Sequence, residues 1–159
     1  MNIFVVDPSP LVCAEYLDDI RANKMLLETT QLLCTALNYH AGSKITPYKS
    51  THINHPCTVW ARETKANWLW LYTYAIELSA RYIRHRGRRH KCTDILVQLL
   101  SYIEHLPEGG QTPFVNCARN RSLCLDFTDI VDVHQAYQKY LTKRWSNDVR
   151  EPTWMGVSR

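Results

Sequence analysis

From Thr58 to Ile83 the apolar side chains Trp60, Trp68, Leu71, Ala75, Leu78 and Tyr82 fall at helical spacing along one stripe, and Gly87 follows with arginines in the preceding turn. A stripe of that length with large aromatics needs other elements to cover it, so this segment predicts the central helix of an all-α protein. Glycine after the last periodic residue is a stop signal, because only glycine adopts the left-handed cap without a steric cost. Ser9 followed by Pro10 is a start signal, serine accepting from a free backbone N–H and proline fitting the first helical position. From Leu11 to Leu37 apolar residues recur at three and four, interrupted by Asp18 and Asp19, which allows either one long helix or two joined near that pair. Thr93 is placed to cap a helix from about Asp94 to Glu104, and a last helix is predicted from about Asp129 to Trp145. Residues 2–6 form an apolar lead-in, residues 38–53 and 105–127 read as loops, and the tail is extended with Trp154 as an anchor. The expected architecture is a compact helical bundle of four to five helices, one domain over residues 1–159, with an ordered long loop and an extended C-terminal tail.

At 159 residues, 45% apolar and 21% charged, the chain is large enough for one core without staples. No apolar run approaches the roughly 18 residues that cross a bilayer, and MNIFVVDPSP has no basic stretch of the kind that opens a signal peptide, so a cytoplasmic protein without a membrane partner is expected. Six cysteines lie scattered without CxxC spacing and read as buried free thiols. His52, His55 and Cys57, with His90 and Cys92, offer donors that a tetrahedral metal would accept, but the spacing matches no standard finger. The expectation is therefore no metal and no cofactor.

The formal net charge is +4, yet Arg81 to Lys91 alone holds five arginines and one lysine with no acid, which leaves the remainder net negative. A local cationic patch attracts polyanions, and the arginine fork matches phosphate oxygens; the same run also suits the negative end of a helix dipole. Tyr48 to Arg62 crowds Lys49, His52, Asn54, His55 and Arg62 around Pro56. Lysine and arginine there suit phosphates, the histidines can donate to phosphate or carry a proton near neutral pH, and Asn54 can pair with a base edge or cap a helix starting at Pro56. Trp60 reads as core, since it begins the apolar stripe.

Several segments together carry a resemblance: Met-Asn-Ile-Phe-Val-Val-Asp at the start, Asp19-x-Arg21-x-x-Lys24-Met25-x-x-Glu28-x-x-Gln31-Leu32, Asn54-His55-Pro56-x-x-x-Trp60, Arg86-Gly87, and Ala136-Tyr137-x-x-Tyr140 with Lys143-x-Trp145 and Pro152-Thr153-Trp154. Over most of its length the chain resembles a phage and bacterial branch of the pyrimidine-dimer DNA glycosylases, similar to endonuclease V. That resemblance implies a DNA repair enzyme, a glycosylase with AP-lyase activity, acting as a monomer on duplex DNA that carries a damaged or modified pyrimidine, in the host cytoplasm if phage-encoded. In that chemistry the protein's terminal amine attacks the sugar, and a carboxylate steadies the developing positive charge. An α-amine with a pKa of roughly 7.7–8.0 is partly neutral at physiological pH, where a lysine is not. Asn2 is a bulky second residue, so Met1 is expected to stay and to supply the nucleophile. Glu28 and Asp19 are the carboxylate candidates, and Arg21, Lys24, Lys49, His52, Asn54, His55, Arg62, Arg84, Arg86, Arg88 and Arg89 are the candidate DNA contacts. A non-catalytic nucleic-acid-binding protein on the same scaffold and a small His/Cys metal-binding protein are the alternatives.

Overall fold

The computed structural model describes residues 2–158, and it is mostly helical. The helices are α1 (Pro10–Tyr16), α2 (Asp19–Ala41), α3 (Pro56–Glu63), α4 (Lys65–Arg86), α5 (Lys91–Leu99) and α6 (Val133–Trp145). Each begins at a side chain that answers a free N–H. Ser9 accepts from Val12 N with Pro10 behind it, so α1 starts where the sequence places it. Asp18 accepts from Arg21 N and opens α2. The aspartate pair therefore divides the first apolar stretch into two helices, since a capping residue has to leave helical geometry to turn its carboxylate back on the helix. Gly42, at φ 67°, closes α2 four residues into what the periodicity treats as loop, and Gly87, at φ 65°, closes α4.

The predicted central helix is in fact two. Thr64 stands extended at φ −144° and ψ 157°, ending α3 and capping α4 through a hydrogen bond from Asn67 N. The apolar stripe crosses this break without a change of period, so Trp60 and Trp68 face the same core from different helices. Likewise α5 begins three residues before the predicted start, at a His90 cap rather than Thr93, and passes into a 3₁₀ turn over Leu100–His105. Asp132 caps α6, accepting from His134 N and Gln135 N.

One hydrophobic core joins all these pieces. α2 packs along α4, α1 and α3 also lie against α4, and α5 closes against both α2 and α4. The tryptophans bury their rings and spend their N–H groups on backbone carbonyls: Trp60 on Thr112 O, Trp68 on Leu33 O and Trp70 on Pro8 O. Buried Asn67 donates to Trp60 O and Thr112 Oγ1 and accepts from Thr112 N, which pins the long loop after α5 across the α3–α4 break. That loop contains a hairpin of two-residue strands, β1 (Arg119–Asn120) and β2 (Leu125–Asp126). A second hairpin, β3 (Thr153–Trp154) with β4 (Val157–Ser158), ends the described chain. Trp154 donates to Tyr16 O and rests edge-on against Trp145, the anchoring the tail was expected to have.

Residues 2–6 thread between the long loop and α6. Ile3, Val5 and Val6 are buried, and three side chains hold the segment: Asn2 Nδ2 donates to Cys117 O (2.8 Å), His134 Nδ1 to Val5 O (3.0 Å) and Gln138 Nε2 to Val6 O (2.9 Å). All six cysteines are free, four buried, Cys117 half-buried and Cys124 exposed, so the buried-thiol expectation fails for Cys124. Among the described residues no helix is long and apolar enough to cross a membrane.

Candidate active site

A cleft of about 540 Å³ opens between the N-terminal segment, α2, α6 and the β1–β2 hairpin. This volume lies within the range of small-ligand sites. Its floor is apolar, with Phe4 stacked on Tyr140 at 6.0 Å and Met25 beside them. Phe4 takes φ 45°, a left-handed conformation unusual for a bulky residue. Asn2 holds that turn: its Oδ1 accepts from Ile3 N and from Phe4 N while its Nδ2 is tied to Cys117 O. Strained backbone enforced by its surroundings is a mark of functional sites.

From α2 come Ile20, Arg21, Lys24 and Glu28. These positions recur at three and four along one helix face, which is why four residues spread over nine positions meet in one cleft. The Glu28 side chain is 16% exposed and pairs with Lys24, 3.4 Å away and 71% exposed. The flexible lysine can leave and expose the carboxylate. Arg21, by contrast, is engaged: its guanidinium bridges Asp18 (2.8 Å) and Asp148 (2.8 Å), joining the start of α2 to the segment after α6. It lines the cleft as a strut more than as an open cation.

The opposite wall was not found by sequence reasoning. Arg119 and Asn120 of β1, Arg144 of α6, and Val149 and Arg150 beyond it also line the cleft. Arg119 pairs only loosely with Asp126, at 3.7 Å, and Arg144 with Asp148, at 3.8 Å. The signal available was Arg119-Asn120-Arg121 in a long loop, a basic doublet that no periodicity ties to α2.

The two proposed carboxylates thus part company. Glu28 is in the cleft, whereas Asp19 lies outside it and is consumed by structure. Its oxygens accept from Arg81 (3.0 Å), Thr153 Oγ1 (2.9 Å), Met155 N (2.9 Å) and Gly156 N (2.8 Å), binding the C-terminal hairpin to α2. In this position Asp19 serves as an anchor between α2 and the C-terminal hairpin, apart from the cleft that Glu28 lines. Met1, the proposed nucleophile, lies outside the described residues.

The remaining candidates sit elsewhere. Lys49, His52 and Asn54 are exposed on the loop before α3, away from the cleft lining. Arg62 donates to Ile53 O and stacks over the Tyr39 ring at 3.8 Å. His55, not Asn54, caps α3, its Nδ1 accepting from Cys57 N. With proline at the first helical position the residue immediately before it is the cap, which moves the role one place along the chain. Burial pushes the His55 imidazole below its ordinary pKa; His52 acts in the same direction and the charge of Glu28 opposes. His90 repeats the arrangement, accepting from Cys92 N, and burial lowers its pKa too. Both His-x-Cys pairs that resemble metal donors are helix starts, and no three metal-ligating side chains gather among the described residues.

The basic run is less uniform than its sequence. Arg81 is buried, donating to Ala14 O and pairing with Asp19. Arg84 pairs with Glu15 and Arg89 with Asp94. Arg86 and Arg88 are exposed with no ion pair among the described residues. Arg86 lines a shallow groove that shares Ile20 with the cleft, so the two surfaces are contiguous.

No curated protein and no solved structure matches the chain. A family model does: the pyrimidine dimer DNA glycosylase model matches residues 1–96, the portion that carries the N-terminal segment, α2 with Glu28, the His-Pro start of α3 and the arginines at the end of α4 and just after it. With more than half its length matched, and with a carboxylate cleft beside residue 2, the chain belongs to the pyrimidine dimer DNA glycosylase family.

Proposed function

We propose that the cleft is where a damaged pyrimidine in duplex DNA is held and its glycosidic bond broken, by a single chain acting through the Met1 amine. The observation that carries this reading is Glu28: a half-buried carboxylate that faces a cleft also lined by Asn2, the residue joined to Met1. The amine nitrogen forms a bond to the sugar C1′, and the C1′–N bond breaks with its electron pair going to the base, which leaves protonated. The second amine proton passes to the ring oxygen as the C1′–O4′ bond breaks, which gives an imine; protonated on nitrogen, the imine acidifies C2′, and loss of a C2′ proton expels the 3′ phosphate, the AP-lyase step. Glu28 stabilises the positive charge that grows on the sugar as the base departs, in a site where a fixed charge needs no reorganisation. Lys24, Arg119, Arg144 and Arg150 take the phosphates on either side. Lys24 exchanges its Glu28 pairing for a phosphate, which frees the carboxylate when DNA is present.

Borohydride reduction of a mixture with ultraviolet-irradiated duplex tests this. A covalent protein–DNA adduct is expected, lost when the α-amine is acetylated, and excision by Glu28→Gln is expected to fall by about 10² or more. Retained DNA binding without any adduct leaves a binding protein on the same scaffold.

A further inference from the structure

Asn2 is 8% exposed and lines the cleft, yet its carboxamide is turned back on its own chain. Oδ1 accepts from Ile3 N at 2.8 Å and from Phe4 N at 3.4 Å, the second contact being a turn in which the side chain stands in for a backbone carbonyl. Nδ2 donates to Cys117 O at 2.8 Å, across 115 positions of sequence. With N–H groups on one side and a carbonyl on the other, a single orientation of the amide satisfies all of these partners.

Both ends of this clamp are themselves fixed. Cys117 N donates to Tyr137 Oη (3.0 Å), which donates in turn to Val115 O (3.2 Å), and Tyr137 is fully buried. Asn116, the neighbour of Cys117, donates to Phe127 O and Ile130 O. At the other end Phe4 keeps φ 45°, its ring edge-on to Tyr137 and stacked on Tyr140. Asn2 therefore joins a left-handed turn to a loop that α6 braces. Because the peptide bond is planar, only the φ of Asn2 and the ψ of residue 1 lie between the clamp and the terminal α-amine. The task needs a short side chain with both a donor and an acceptor: leucine has neither, and glutamine carries its amide a methylene farther out, beyond the reach of the turn.

We infer that Asn2 is a positioning residue for excision: its carboxamide fixes the direction in which the chain leaves towards residue 1, and with it the approach of the α-amine to the sugar C1′. This rests on the excision reading and deepens it. Attack at C1′ while the base departs demands an aligned nucleophile, and alignment achieved by folding is not left to the reaction.

The test uses the full chain, Asn2→Gln and Asn2→Leu, whose bulky second residues keep Met1 in place, as intact mass verifies. Single-turnover excision is measured on a duplex with one thymine–thymine dimer, and borohydride trapping on the same duplex with an abasic site. The abasic aldehyde forms an imine with any amine that reaches it, so trapping depends on alignment far less than excision does. Excision is expected to fall by at least tenfold in Asn2→Gln and about 10²-fold in Asn2→Leu, with dimer-duplex affinity within about twofold of wild type and the ratio of excision to trapping lowered in both. Asn2→Gln keeps a donor and an acceptor, so the ratio is read even where loss of both unfolds the protein. Excision and trapping that fall in parallel, or together with DNA affinity, reduce Asn2 to support of the fold and overturn the inference. Wild-type excision in both variants overturns it too, while the glycosylase reading stands. Absence of excision by the wild type, with DNA still bound, overturns both.

Discussion

Asp19 accepts four hydrogen bonds, and these surroundings determine how it answers to pH. Burial alone raises its carboxyl pKa, but the N–H groups of Gly156 and Met155, the Thr153 hydroxyl and Arg81 outweigh burial and hold it below the usual carboxylate value. A carboxyl depressed in the folded state stabilises fully above the unfolded pKa of about 3.9 and loses that contribution as pH falls through the folded value. Stability measured by urea unfolding is therefore expected to decline below about pH 4, and less steeply in Asp19→Asn, which has nothing to titrate there. At neutral pH Asp19→Ala is expected to cost about 3–5 kcal/mol, because Arg81, 2% exposed, is left as an unpaired buried cation. A loss below about 1 kcal/mol removes the anchor role. His85 Nδ1 lies 3.7 Å from the same carboxylate, on the side of the hairpin.

Among the elements, α3 and α5 share an unusual start, a histidine whose Nδ1 accepts from the N–H two residues on. Only neutral imidazole can accept, and the positive end of the helix dipole disfavours the imidazolium, in keeping with the lowered pKa of both residues. A group depressed in the folded state gives its full contribution above the unfolded pKa of about 6.5 and loses it as pH falls through the folded value. Unfolding midpoints are expected to drop between pH 7.5 and pH 5, and the His55→Asn/His90→Asn double variant, which keeps both caps without the titration, is expected to lose much of that dependence. Equal pH profiles for the two proteins exclude the histidines as its source.

These starts also mark what the sequence could tell. Ser9-Pro10 and Gly87 were legible because each acts locally, through one cap or one left-handed residue. Thr64 was not, since an apolar stripe keeps its period when one helix ends and another resumes in phase. Glu28 and Lys24 were candidates through the resemblance of the Asp19–Leu32 segment to the family, and the structure sets both in the cleft lining. The wall of Arg119, Asn120, Arg144 and Arg150 was not, because only tertiary packing brings residues so far along the chain against α2.

For the whole molecule, charge is a matter of which cations remain unpaired. Under the proposed excision reading, a duplex running from the cleft across Ile20 to Arg86 leaves Arg86 and its exposed neighbour Arg88 as the cations for phosphate, while Arg84 and Arg89 are already paired with Glu15 and Asp94. Binding constants for duplex DNA over a range of salt are expected to show a slope shallower by about 0.9 for each phosphate that Arg86→Ala/Arg88→Ala no longer neutralises, and little change in Arg84→Ala/Arg89→Ala. Identical slopes in the two variants place the duplex elsewhere. The threading of residues 2–6 has a further consequence for synthesis. Their partners are Cys117, His134 and Gln138, separated from them by 115, 129 and 132 positions. A segment that leaves the ribosome early waits for partners made late, and non-local closure of this kind is slow. The cleft floor therefore closes only after α6 has emerged, so a nascent chain whose α6 is still inside the ribosome holds Glu28 without the finished pocket around it.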